Sequence, residues 1–388
     1  MYGSLKVGTI GGIAIRVHYT WIFAVLLIAW SLALGYFPSA GQGRGAGTDW
    51  LLAIIAALLL FGSVLVHELG HSLVARARGL RVEDITLFIF GGVSSIAQEA
   101  ASAWDEFVVA VVGPLISLAL AGLFWAVGQV VPPESAVSPV ARYLAMANLL
   151  LGLFNIVPGF PLDGGRVLRG ILWGATGDMA RATRLASYVG QAIAFVLIGW
   201  GVVSALSGDL LGGFWIAFIG WFLNSGAEGS RRQLDVRRAL DGVPVSSVMD
   251  PSPATAGPGL SVRDFVQDYA LRRGLRALPV VEAGQLVGIV SITDARDVAQ
   301  DAWATTRVDE VMTRLPLKTL APEADLSAAL ELMVNNGVHQ LPILRDGAVV
   351  GLLSRADVLH YLQLGAAPPR GAAQPAAAAL ALTAVSRG

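Results

Sequence analysis

Up to about residue 225 the chain is a train of long apolar runs, and no other feature constrains its folding as strongly. Six of them, roughly 19–37, 50–75, 104–128, 142–158, 185–206 and 210–225, approach the ~20 residues that a helix needs to cross a bilayer. Backbone polar groups in hydrocarbon must be satisfied within their own segment, so such runs become helices. Only 14% of the 388 residues are charged and 55% are apolar, against about 25% charged in a typical soluble domain. The sequence therefore predicts a multi-domain chain whose first part, residues 1–228, is a polytopic α-helical membrane domain with six transmembrane helices. The first run shows no small-residue cleavage site and is expected to stay as a membrane helix.

Arginines give the orientation. Arg76, Arg78 and Arg81 follow the second run, Arg166, Arg169, Arg181 and Arg184 the fourth, and Arg231, Arg232, Arg237 and Arg238 the sixth. The alternate loops hold little beyond Arg44 and Arg142. Positive charge on the inner side then puts both termini in the cytoplasm of a multi-pass cell-membrane protein. Six buried helices of a soluble protein would not need this sidedness.

The second run ends in "GSVLVHELGH", residues 62–71. Ionisable groups at that depth are costly and call for a partner or a task. His67 and His71 are four apart and share one helix face, a spacing that suits two imidazole ligands of zinc. Glu68, between them, is placed to act as a general base toward water beside the metal. A polar patch near the headgroups is the plainer reading of the motif. His67 lies nine residues before Arg76, about 13 Å inward along a helix, below the surface yet within reach of cytoplasmic water. A catalytic zinc site wants a third protein ligand. The chain has no cysteine, which excludes thiolates, and the other histidines are His18, His339 and His360. Asp163 in "NIVPGFPLDGG" is the better candidate: it sits where prolines and glycines break the fourth run, on the same side as the first motif. A helix-capping aspartate is the competing explanation.

Together these motifs resemble the site-2 protease family, the intramembrane zinc metalloproteases of peptidase family M50, in its branch with C-terminal CBS domains. The resemblance runs from about "IRVHYTWIF" at Arg16 to the end of the second CBS repeat. It implies one zinc ion on His67, His71 and Asp163, with Glu68 as the catalytic glutamate. It also implies that "GGVSS", with Gly91, Gly92 and Val93, is a hairpin that dips toward the site and pairs with extended substrate. "VVGPLISL" matches the stretch that packs beside the metal helix, and Asn155 becomes a substrate or oxyanion contact. His18 is read as an interfacial anchor. The expected substrates are single-span membrane proteins, such as an anti-sigma factor, cut in regulated intramembrane proteolysis.

The soluble part contains a repeat. "RGLRALPVVEAGQLVGIVSITD" echoes "NGVHQLPILRDGAVVGLLSRAD", and Met249/Met312, Pro279/Pro342, Gly288/Gly351 and Asp294/Asp357 all lie 63 residues apart with no gap. The expected domains are a linker at 229–243, repeats at 244–302 and 303–364, and a disordered tail at 365–388. The repeat resembles a tandem CBS pair of α/β modules. That implies clefts for AMP, ADP or ATP, with Ser291, Asp294, Ser354 and Asp357 at the ribose, His339 bordering a cleft, and homodimerisation through the pair. Empty clefts are the plainer alternative. A net charge of −1 gives no sign of a nucleic-acid partner. The rival function from another class is a CBS-gated cation transporter or channel; a catalytically inactive scaffold is a third.

Overall fold

The computed structural model describes residues 3–40, 45–89, 91–96 and 100–365, so the expected tail lies, from residue 366 on, outside the described residues. The chain divides into two compact units between Leu234 and Asp235.

The first unit opens on a structure the apolar runs do not announce. β1 (Ser4–Ile10) and β2 (Ile13–His18) form an antiparallel hairpin. β2 then pairs in parallel with β3 (Val82–Phe88), which pairs antiparallel with β4 (Gly91–Ile96). The four-stranded order is β1-β2-β3-β4. Ile13, Ile15 and Ile85 bury one face of this sheet against Leu65 and Leu69 of the second span.

Among the described residues, six helices are long and apolar enough to cross a membrane. The first is α1 (Thr20–Ser31), continued by a π-turn at Leu32–Tyr36 into α2 (Phe37–Ala40). Then come α3 (Ala46–Ala77), α4 (Ala103–Val130) and α5 (Val137–Ile156). α7 (Met179–Leu206) and α8 (Leu210–Leu240) complete the set. Large apolar side chains such as Leu26, Trp125, Leu150 and Phe195 stand exposed, as they must where lipid takes the place of water. Small residues (Ala53, Ala56, Ala57, Ala110, Ala186, Ala194) fill the buried seams, which lets backbones approach. Asn148 of α5 donates to Ser63 Oγ of α3 at 3.2 Å, a polar tie between spans.

The fourth run breaks after Ile156, and a short helix α6 (Asp163–Thr176) follows. The competing explanation of Asp163 as a cap calls for a helix here, although the six apolar runs do not include it. α6 ends at Gly177 in the left-handed conformation, and Asp178 caps α7 by accepting from the Arg181 amide at 2.8 Å. The stretch from 229 onward is helical through Leu240 as the end of α8.

The second unit holds two α/β halves. The first has α9 (Val262–Asp264) running into a π-helix at Phe265–Leu271, the hairpin β5 (Ala277–Glu282) and β6 (Gln285–Ser291), and α10 (Ile292–Arg296). α11 (Val308–Val311) and β7 (Thr313–Arg314) follow. The second half has α12 (Leu326–Asn335), the hairpin β8 (Gln340–Arg345) and β9 (Ala348–Ser354), and α13 (Arg355–Gly365). The halves exchange their leading segments. Leu240, Val245 and Met249 pack in the core with Leu326, Met333 and Leu341, whereas Val308 and Met312 pack with Val262, Phe265 and Leu278. Met312 fills the space over Gly288, and Met249 fills that over Gly351.

The gapless register holds at these anchors and slips between them. From helix cap to strand, Ser261 to Ala277 is one residue longer than Asp325 to Gln340. The π-helix absorbs the extra residue, which is how such single insertions are accommodated.

Candidate metal centre

α3, α4 and α6 build the site. His67 and His71 leave one face of α3, only 4% and 3% exposed. Asp163 is the first residue of α6; the cap position is Leu162, with no side-chain cap bond. Its carboxylate reaches the imidazoles instead. Oδ2 lies 3.1 Å from His67 Nε2 and 3.2 Å from His71 Nε2, and the two Nε2 atoms are 3.2 Å apart. The capping explanation for Asp163 is thereby removed.

These three atoms form a nearly equilateral triangle, and hydrogen bonding alone cannot satisfy it. His71 Nδ1 faces the Val109 carbonyl at 2.7 Å. A carbonyl only accepts, so the proton of a neutral His71 sits on Nδ1 and Nε2 presents a lone pair. His67 Nδ1 is taken by Ser117 Oγ at 2.9 Å. Two imidazole nitrogens and a carboxylate oxygen thus converge with their outer partners already in place, as metal-bound histidines are held. Tetrahedral zinc with bonds of about 2.0–2.1 Å spaces its ligands about 3.3 Å apart. The donor set fits zinc.

The remaining parts of the motifs have steric reasons. A Cβ at Gly113 of α4 would strike the Nε2 atoms of both histidines, so only glycine admits the ligands at that crossing. Cβ atoms at Gly164 and Gly165 would run into the backbone of Ile156 and of Phe160 and Gly159; the double glycine lets α6 fold back on the break. Glu68 points to β4, where Ser94 Oγ donates to its Oε2 at 2.8 Å. Gly91, Gly92 and Val93 lie on β4, paired with Phe88, Leu87 and Thr86. Asn155 donates to the Leu151 carbonyl at 3.0 Å, a bond within its own helix. His18 Nδ1 lies 2.8 Å from Thr20 Oγ1, at the entry to α1 and apart from the metal cluster.

One group at the site escaped the sequence reading. Glu106, on α4 and 1% exposed, accepts from Arg166 Nε at 3.0 Å and from Arg169. Both arginines belong to α6, three and six residues after Asp163. The triad pins the ligand-bearing turn to the helix that carries Gly113. Two arginines counted for membrane sidedness therefore have a structural occupation as well.

In the second unit, Ser291 and Asp294 form a capping box: Asp294 Oδ2 accepts from the Ser291 amide at 2.7 Å and from its hydroxyl at 2.8 Å. Ser354 and Asp357 repeat the arrangement at 2.8 and 2.7 Å. Each pair thus caps a helix without any ligand. His339 is held below the ordinary imidazole range, first by partial burial and then by the charges of Arg355 and Arg276. The Arg355 amide donates to the His339 carbonyl, and the Ile292 amide to that of Arg276. These backbone bonds put His339 and Arg276 beside the starts of the two capped helices, and Arg355 Nη2 donates to the Met333 carbonyl at 3.0 Å.

The model of peptidase family M50 matches residues 55–138 and 132–197, and that of the CBS domain matches 245–301 and 308–364. "Putative zinc metalloprotease Rip3" of Mycobacterium tuberculosis is 38% identical over 94% of this chain and 94% of its own. "Zinc metalloprotease MJ0392" of Methanocaldococcus jannaschii is 28% identical over 93% and 96%. A protein of Synechocystis named, like Rip3, for a zinc metalloprotease, sll0528, is 35% identical over 95% and 97%. The chain belongs to peptidase family M50, the site-2 protease family, in the branch with a C-terminal CBS pair. It is a multi-pass membrane zinc metalloprotease.

Proposed function

We propose that the chain hydrolyses a peptide bond in or near the membrane-spanning helix of single-span proteins, with both termini and the CBS pair on the cytoplasmic side. The observation that carries this reading is the convergence of two imidazoles and one carboxylate from separate helices, with a second carboxylate, Glu68, alongside.

His67, His71 and Asp163 hold the metal. When bound, zinc supplies Lewis-acid polarisation of the scissile carbonyl and raises the acidity of water. Glu68 takes the proton of the attacking water and returns it to the leaving amine. Ser117 and the Val109 carbonyl keep the imidazoles in orientation. β4, the edge strand of its sheet among the described residues, offers backbone groups to an extended substrate segment, so a helical substrate must unwind first. Helix-breaking residues in the substrate ease that step.

We further propose that the CBS pair binds an adenosine nucleotide. The Asp294 and Asp357 carboxylates lie near the ribose, and Arg276, His339 and Arg355 face the phosphates. The nearness of Arg276 and Arg355 to His339 favours an anion there. Binding would act on proteolysis through unequal affinity for two arrangements of the protein.

Glu68→Gln tests the main reading against the transporter. It should retain zinc and lose turnover by at least about 10²–10⁴-fold. Comparing membrane proteomes of cells with active and Glu68→Gln protein should reveal a single-span fragment that accumulates uncut. Full turnover by Glu68→Gln, or no accumulating fragment, contradicts proteolysis.

A further inference from the structure

The Glu68 side chain is tied to more than its own helix. Its carboxylate accepts from Ser94 of β4, as described, and Ser94 Oγ in turn accepts from Ser72 Oγ at 3.1 Å. Ser72 sits four residues after Glu68 on α3 and is fully buried. A serine hydroxyl has one proton to give. With Ser72 donating into Ser94, the Ser94 proton is committed to Glu68. Two residues back along the strand, on the same face, a Cβ at Gly92 would lie 2.5 Å from Glu68 Cγ. Ser94 and Gly92 pair with Ile85 and Leu87, both buried. The glutamate therefore rests on the inner face of β4, anchored at one end by Ser94.

Among the described residues, β4 is also the last strand of its sheet. An edge strand carries backbone donors and acceptors that an extended peptide can pair with. The strand that offers this edge is thus the strand that grips the general base.

We infer that Ser94 is a positioning residue: it fixes the Glu68 carboxylate relative to the polypeptide segment docked on β4. This rests on the proteolytic reading above. A base must stand within about 3 Å of the proton it takes, and a misplacement of about 1 Å can cost about 10²-fold in rate. His67 and His71 set Glu68 only relative to α3. The Ser94 bond puts base and docked segment into one frame, and the Ser72 hydroxyl keeps that bond pointing one way.

The test uses the full-length enzyme and, as substrate, the single-span fragment that accumulates with Glu68→Gln. Ser94→Ala should lower kcat about 10- to 100-fold, with KM, zinc content and thermal midpoint unchanged. Ser94→Thr, which keeps the hydroxyl, should restore kcat to within about 3-fold. Ser72→Ala should have a smaller effect in the same direction. If Ser94→Ala fails to fold, Gly92→Ala takes its place, since the added methyl displaces Glu68 and should reproduce the loss of kcat. A kcat for Ser94→Ala within about 2-fold of the parent overturns the inference, as does a loss that threonine does not restore or that zinc loss accompanies. Glu68→Gln separates the two levels. If it abolishes turnover while Ser94→Ala does not, only the role of Ser94 falls; if it cleaves normally, the proteolytic reading falls.

Discussion

Asp163 and Asp294 both stand in the first turn of a helix, one in each unit, and they do opposite things. Asp294 closes a capping box with Ser291. Asp163 leaves its helix uncapped and turns its carboxylate to two histidines on another span. The surroundings explain the difference. In the water-exposed CBS unit, an aspartate at a helix start stabilises the helix locally, and that is reason enough for it to be there. Inside a membrane bundle, an unpaired carboxylate is expensive, and it persists where a cation or a donor repays it. A polar residue is therefore far more diagnostic of function in the first unit than in the second.

Substitutions can break or sharpen this contrast. The largest effect is expected at Glu106. Glu106→Gln leaves two arginines without their buried counter-charge, a loss of about 3–5 kcal/mol for a broken buried pair. It should also weaken zinc binding about 10- to 100-fold by loosening the turn that carries Asp163; competition with a zinc chelator and detergent-phase thermal unfolding measure both. Unchanged zinc affinity would make the triad a packing feature only. At Asp294 the expected loss is about 1 kcal/mol of stability, that of a helix cap, with zinc content and basal cleavage unaltered. If Asp294→Ala also removes AMP binding in calorimetry, the same carboxylate serves both cap and ribose.

The smallest effect concerns pH. Burial and two arginines keep His339 neutral more readily than a free imidazole, so its proton returns when an anion settles beside it. His339 should then contribute about 2- to 3-fold more to AMP affinity at pH 6 than at pH 7.5, because its binding-linked protonation is favoured as pH falls. The AMP phosphate, with a second pKa of about 6, titrates alike with and without His339. His339→Gln should flatten that dependence, and an unchanged slope would place the phosphates elsewhere.

What could be read from the sequence follows the same division. The spans were legible because hydrocarbon demands uninterrupted apolar length, and His67, Glu68, His71 and Asp163 stood out against it. The repeat was legible because Met249/Met312 and Gly288/Gly351 are matched knobs and holes. The N-terminal hairpin was not legible: Leu5 and Val7 are exposed on β1, so no buried alternation marks the strand. α6 was visible only through the capping alternative for Asp163, because its glycines read as breaks although they serve close backbone contacts. Glu106 could have been noticed as an acid at the start of an apolar run, with Arg166 and Arg169 three apart beyond the break. The hydroxyl link from Ser94 to Glu68 had no signal, since it depends on how β4 crosses α3. Likewise the one-residue slip between the CBS halves becomes visible only through the π-helix at Phe265–Leu271.

The account depends on one zinc ion shared by α3 and α6, and zinc-edge X-ray absorption on the purified full-length protein tests this most directly. It predicts one zinc per chain with two imidazole nitrogens and a carboxylate oxygen at about 2.0 Å. In Asp163→Ala, the carboxylate should vanish from the first shell and zinc should dissociate far more readily. An unchanged zinc environment and affinity in Asp163→Ala would contradict it.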